Sequence, residues 1–507
     1  LTEKVAQEFD LAYDKFTMKH LILLSFLALP QLLQAQVTAS DELKRLNKCY
    51  GLFVRERIPT DHPLWVAVSR GTKSGTDACM ELFDKAKLTS SGELPKTNGN
   101  YDYEGMRVLN SFLRFHKSQF EIPDFSTAVG NGIDRFTRDV TDSNEPAYHF
   151  LYSLFAPEQK FSDVVTRDFS LRAKRYSMKS ERTRSVASVA LPVIMQGVYK
   201  TVKDANGNSV LVPDDAKGGA SPFEPVLPET GILIGLDVDQ EDNSIEPTHF
   251  NPNFGTLKFT STNINQHLGG GIIGSQGYLL GNLGKDGFTN GGTNLFRRWG
   301  KHVMADLLCR DLPALRSKDV VAEVDAESTI AFRTGISCMG CHSSMDPLAG
   351  AARNSRAAWT SNAGMSFNRV KFIGHRTPDL GYAEFPSKVA DANFHRRPAN
   401  GRLYYRSYNG DLVLNEVEGL QQLGESIAKT NDYYVCAAKR YYRFLTGINV
   451  NLADLGNINT PALSPGEKFQ RDRVINMGLD LKSHQSLRTL IKNIIKSDAF
   501  IYPDRGV

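Results

Sequence analysis

The sequence predicts a mainly α chain with β-hairpin insertions, an α+β protein. Three observations predict it. Apolar residues recur at helical spacing through residues 40–125, and again beyond residue 417. Two turn signals, Ala205-Asn206-Gly207-Asn208 and Asn409-Gly410, each stand between short apolar runs and mark hairpins. A length of 507 residues exceeds one ordinary core and suggests roughly two to four domains.

Taken in order, the first methionine is Met18, followed by Lys19-His20, an apolar stretch from Leu21 to Leu33 and small residues beyond. That arrangement is expected of a secretory signal peptide over residues 18–39, cleaved after Ala35 or Ala39, with residues 1–17 a miscalled upstream extension. The apolar stretch is short for a bilayer, and no other segment qualifies. The mature chain is therefore expected to be periplasmic or otherwise exported, without a transmembrane segment.

Residues 40–125 read as an N-terminal helical domain. Its stripes are Leu43, Leu46, Tyr50 and Leu52-Phe53, then Cys79, Leu82, Phe83 and Ala86, then Met106, Leu109, Phe112 and Leu113. Pro59, Pro63 and a loop over residues 90–99 punctuate them. Residues 126–265 read as a mixed α/β and loop region, with a hairpin over 198–212 and loop over 213–256. Residues 266–297 are dense in glycine but lack a Walker lysine, so close backbone packing is the expected use of these glycines. A helix is expected from about Asn294 to Cys309. Residues 365–415 read as a β insertion. One long helix runs from Val417 to Leu445, with Thr430-Asn431 its weak point and Gly447 its end. A last helix takes Ser483 as N-cap and runs to Phe500.

The net charge of +4 and the absence of a Lys/Arg run give nucleic-acid binding no electrostatic support. Asp237 to Asn243 is a dense acidic stretch without EF-hand spacing, expected as a solvated loop. Six cysteines remain after export. Two of them belong to one motif, and the other four allow three pairings. Sequence distance favours Cys49–Cys79 and Cys309–Cys436.

The motif is Cys338-Met339-Gly340-Cys341-His342, followed by Met345-Asp346-Pro347. Two thiols three positions apart share one side of a helical turn and can reach both vinyl groups of a porphyrin. The adjacent imidazole then faces the iron. Cys338, Cys341 and His342 are thus the expected attachment site of one covalent haem c, with His342 the proximal ligand. A plain Cys338–Cys341 disulfide, a zinc site and a thioredoxin-like site are the competing readings, and no second ligand pair or βαβ context accompanies the last two. For the sixth ligand, Met345 falls on the proximal side, three residues after His342. Met365, in a small-residue segment, is the best downstream methionine. His375 and His395 are alternatives, Met304 and His302 precede the motif, and an open five-coordinate iron is a further possibility.

These residues resemble the planctomycete-cytochrome-like family of exported proteins over about residues 266–507. The resemblance is carried by Gly300-Lys301 to Leu307-Leu308-Cys309, by Cys338 to His342 with Met345-Asp346-Pro347-Leu348-Ala349-Gly350, and by Tyr441 to Gly447 with the closing helix. The chain departs from the family in lacking a proline-rich stretch after Leu308 and in carrying one extra residue before Gly350. The resemblance implies a helical cytochrome c-like haem domain over 266–507. It carries over Cys338, Cys341 and His342 as haem-binding residues and implies no catalytic residue.

The expected function is an electron-transfer or redox-enzyme component with a redox partner protein. If it is an enzyme, it is a haem-dependent oxidoreductase. The competing reading is a structural or binding protein of the cell envelope with a non-catalytic CxxCH domain. A monohaem carrier needs only about 100 residues, so the rest of the chain must serve another purpose.

Overall fold

The computed structural model describes residues 40–89, 94–98, 100–120, 145–168, 170–172, 199–203, 209–213, 234–236, 269–282, 296–353, 355–362, 365–372, 398–458 and 460–503. Residues 18–39, expected as a signal peptide, the acidic stretch 237–243, His375, His395 and much of the glycine-dense segment lie outside them.

The described chain is mainly helical, with short antiparallel strand pairs, as the sequence leads one to expect. Helix α1 (40–53) is followed by α2 (Pro63–Ser69), α3 (Gly75–Asp84) and α4 (Tyr103–Lys117). The segment expected as loop over 90–99 contributes a strand to a two-residue pair, β1 (Lys96–Thr97) with β2 (Asn100–Tyr101). The middle region supplies α5 (Glu145–Phe155), α6 (Asp163–Thr166) and β3 (Ser170–Arg172). The hairpin β4 (Tyr199–Lys203) with β5 (Ser209–Pro213) forms as expected, and β6 (Ile234–Leu236) pairs with β3. Then come α7 (Gln276–Gly281), α8 (Arg297–Leu308), α9 (Ser317–Val320) and α10 (Ile336–Gly350). Strands β7 (Ser355–Asn362) and β8 (Met365–Phe372) pair, so the β insertion starts before residue 365. Strands β9 (Asn400–Arg406) and β10 (Leu412–Glu418) form the second hairpin, turned at Gly410, whose φ is 86°.

The C-terminal region sharpens one expectation and corrects another. The helix expected over 417–445 breaks at its expected weak point into two, α11 (Gly419–Lys429) and α12 (Asn431–Thr446). Thr430 separates them because its hydroxyl accepts the Tyr433 N–H at 3.4 Å, which makes it an N-cap. Ser483 is not the last N-cap. It lies inside α13 (Pro465–His484), and Ser486 caps α14 (Leu487–Lys496), which α15 (Asp498–Ile501) follows.

One apolar core runs from Leu46, Phe53 and Phe83 through Phe112, Trp299 and Tyr433 to Ile491 and Phe500. N-terminal and C-terminal helices meet in it. Arg488 holds Asp84 through two hydrogen bonds of 2.8 and 2.6 Å, and Lys48 donates to the Phe500 carbonyl at 2.6 Å. The glycines at 269–271 are used for packing. Gly271 has φ 56°, and a Cβ there would sit 2.1 Å from the Val164 carbonyl oxygen.

Both favoured disulfides are present. Cys49–Cys79 joins α1 to α3 with Cα atoms 5.8 Å apart, and Cys309–Cys436 joins the end of α8 to α12 at 5.3 Å. In the chain-entropy picture, loops of 30 and 127 residues contribute roughly 4 and 5 kcal/mol. Among the described residues no helix is long and apolar enough to cross a membrane.

The core also stores a pH dependence. His116 of α4 is fully buried, its ring stacked on Phe150 and its Nε2 3.1 Å from the Tyr441 hydroxyl. Burial, and then the charge of Arg440, lower its pKa from 6.5 to about 3. The folded chain thus keeps the ring neutral while the unfolded chain protonates it. This contribution is complete above the unfolded value of 6.5 and declines below it by about 1.4 kcal/mol per pH unit. Urea midpoints of wild type and His116→Phe, compared near pH 7 and near pH 5, are expected to fall less for the variant. Equal slopes would show that His116 is not the cause.

Candidate haem-attachment site

Helix α10 carries the whole motif. Gly335 precedes its first turn, so Cys338 and Cys341 project from the N-terminal half, one turn apart. Cys338 is exposed and Cys341 partly buried. Neither is disulfide-bonded, whereas the other four cysteines are. Burial, and then the nearby Cys338 thiol, push the Cys341 thiol above its ordinary range.

His342 is held on two sides. Its Nδ1 is 3.1 Å from Asp346 Oδ2, one helical turn later. Its ring stacks on Phe332, centroids 4.1 Å apart and planes at 21°. Asp346 is held in turn by Arg297 at the start of α8, with Nε to Oδ1 at 2.7 Å and a second guanidinium nitrogen to Oδ2 at 2.9 Å. The Arg297 guanidinium lies 5.3 Å from the Phe332 ring centroid, which closes a circuit of four side chains. His342 keeps 22% of its side chain exposed and Asp346 18%. If Nδ1 carries the proton that it gives to the carboxylate, Nε2 is the nitrogen left to bind a metal.

Close backbone approaches place this helix. A Cβ on Gly300 would sit 3.1 Å from the Met345 carbonyl oxygen, so α8 can cross α10 there. A Cβ on Gly350 would sit 2.5 Å from the Asn400 carbonyl oxygen, where α10 meets β9. Gly300 and Gly350 thus have packing roles.

Cys338, Cys341 and His342 are brought together as their spacing requires. Met345 lies on the same helix and is half-buried; Met304 is buried in the core within α8. His302, also on α8, is 3.9 Å from Asp306. Met365 is the first residue of β8, opposite Asn362. Its side chain is outside the described residues, as are His375 and His395. Sequence reasoning assigns no role to Asp346, Arg297 or Phe332. The i,i+4 spacing of His342 and Asp346 is a usable signal for the first; nothing local points to Arg297 or Phe332, which come from other elements.

Compared with protein-family models, curated proteins and solved structures, the chain shows no match. Among the described residues no three His, Cys, Asp or Glu side chains converge as a metal cage. A porphyrin asks for less, because it brings four equatorial nitrogens and needs one protein ligand on the proximal side. Two free thiols one turn apart, beside an imidazole whose Nδ1 faces a carboxylate, fit that demand.

Proposed function

We propose that this chain is an exported, monohaem c-type cytochrome-like protein, an electron-transfer or redox-enzyme component of the kind it resembles. The observation that carries the reading is the contrast among the cysteines. Four are oxidised in pairs, while Cys338 and Cys341 stand unpaired beside His342. The paired cysteines also suit an oxidising, periplasmic location.

In this reading Cys338 and Cys341 would hold the haem by adding S–H across its two vinyl groups, with no net oxidation or reduction, and His342 would supply Nε2 as the protein ligand, its imidazole oriented by Asp346 and covered on one face by Phe332. The bound group supplies one-electron chemistry at its iron. Met365 is the distal candidate, and a redox protein is the proposed partner.

The test is optical and electrochemical. The protein is to be expressed with a c-type haem maturation system and titrated with mediators across the physiological range. Reversible reduction supports the proposal, and a spectrum that no mediator reduces and reoxidises overturns the electron-transfer role. Met365→Ala is expected to abolish a sulfur-to-iron band at the red end of the oxidised spectrum, or to leave a five-coordinate spectrum unchanged. A bis-histidine signature would exclude both and direct attention to His375 or His395.

A further inference from the structure

A cavity of about 490 Å³ lies between α4, α8 and α12, apart from the motif helix. Its size suits a small molecule. Phe115 and Phe444 form an apolar wall, their rings stacked with centroids 4.2 Å apart and planes at 20°. Lys439, Arg440 and Arg443, on neighbouring turns of α12, face it against one lining carboxylate among the described residues, Asp311.

These cations differ in how far they are already satisfied. Arg440 donates to Gln119 Oε1 and to the Ala305 carbonyl, each at 3.1 Å, and stands 3.8 Å from Asp306. It serves the fold. The Lys439 ammonium pairs with no carboxylate among the described residues, although it is partly buried next to Arg440, Arg310 and Arg443. Arg443 is exposed at the same wall. Around this half-buried ammonium three guanidinium groups stand against one nearby carboxylate, Asp311, which leaves an excess of positive charge at the cavity wall. A second, smaller cavity of about 220 Å³ is also lined by Lys439 and Asp311.

We propose that this cavity binds a small organic carboxylate, with Lys439 and Arg443 taking the carboxylate and Phe115 and Phe444 taking its apolar body. The site is independent of the haem reading and needs no redox chemistry. Calorimetric titration of the full, disulfide-bonded chain with benzoate, hexanoate, acetate and the neutral benzyl alcohol tests it. Benzoate or hexanoate is expected to bind saturably at one site, more tightly than acetate, and benzyl alcohol not to bind. Lys439→Met and Arg443→Met should each weaken that binding at least tenfold. Without ligand, Lys439→Met should melt no lower than wild type, since it removes an unpaired cation. The proposal is overturned if no carboxylate binds saturably, if the alcohol binds as well, or if both variants bind like wild type. Should Lys439→Met melt well below wild type or fail to fold, the argument that the ammonium lacks a partner is wrong, and the proposal falls with it.

Discussion

Replacement of both Cys338 and Cys341 by serine is expected to remove all covalently bound haem while leaving the fold intact. The fold should survive because Cys338 is exposed, Cys341 is only partly buried and neither bridges two elements. Substitutions away from core and disulfide change stability by about 0.5 kcal/mol or less. The haem should not survive, because two thioethers are the only covalent links the motif offers. A haem stain after denaturing electrophoresis reads the result, with a maturation system present during expression. Counting thiols by labelling after denaturation without reductant separates the competing states. Full attachment leaves no reactive thiol, and a reduced, unattached chain leaves two, since Cys49, Cys79, Cys309 and Cys436 are paired. A stained band that persists in the double variant would place the haem elsewhere. Absence of stain in wild type, with no reactive thiol, would favour a Cys338–Cys341 disulfide.

The difference between legible and hidden features follows the range of the interactions behind them. The hairpin at 400–418 is readable because Asn409-Gly410 is local turn chemistry, and Gly410 does take the left-handed conformation. Cys-x-x-Cys-His is readable because its residues share one helix. Sequence distance favours the two disulfides that form over the other two pairings, without fixing them. The capping box at Ser464 and Glu467, with Pro465 at the first helical position, also marks α13, yet apolar periodicity does not find that helix. Its apolar residues are spread around the axis, with Phe469 and Leu479 exposed, so no single face stands out. Thr430-Asn431 is legible as the weak point of an amphipathic run, because Thr and Asn are capping residues, although the apolar periodicity continues across it. The Arg297–Asp346 pair joins residues 49 positions apart, and no local pattern encodes that contact.

Asp346 is the residue through which that distant contact reaches the motif, and its replacement should have two separable effects. Asp346→Ala takes from the Arg297 guanidinium, 13% exposed, a carboxylate to which it donates two hydrogen bonds. Breaking a largely buried pair on one side costs about 3 kcal/mol, discounted here because Asp346 itself retains 18% exposure; about 2 kcal/mol is the expected loss in urea unfolding. Asp346→Asn keeps the volume and one acceptor, so it should lose less stability and isolate the second effect. A carboxylate accepting from Nδ1 makes the imidazole a stronger electron donor at Nε2 and favours the more positive state of a bound metal. The neutral amide of the Asp346→Asn variant would accept more weakly, so the reduction potential of the proposed haem protein should rise. A tenfold change in the one-electron equilibrium is about 59 mV, and a shift of that order is expected. Arg297→Met should move it the other way, because Arg297 Nε and a second guanidinium nitrogen draw charge from the same carboxylate. Opposite signs in the two variants would place Asp346 between Arg297 and His342 as a tuning group. Equal shifts, or none, would leave it a structural ion pair that merely holds α8 against α10.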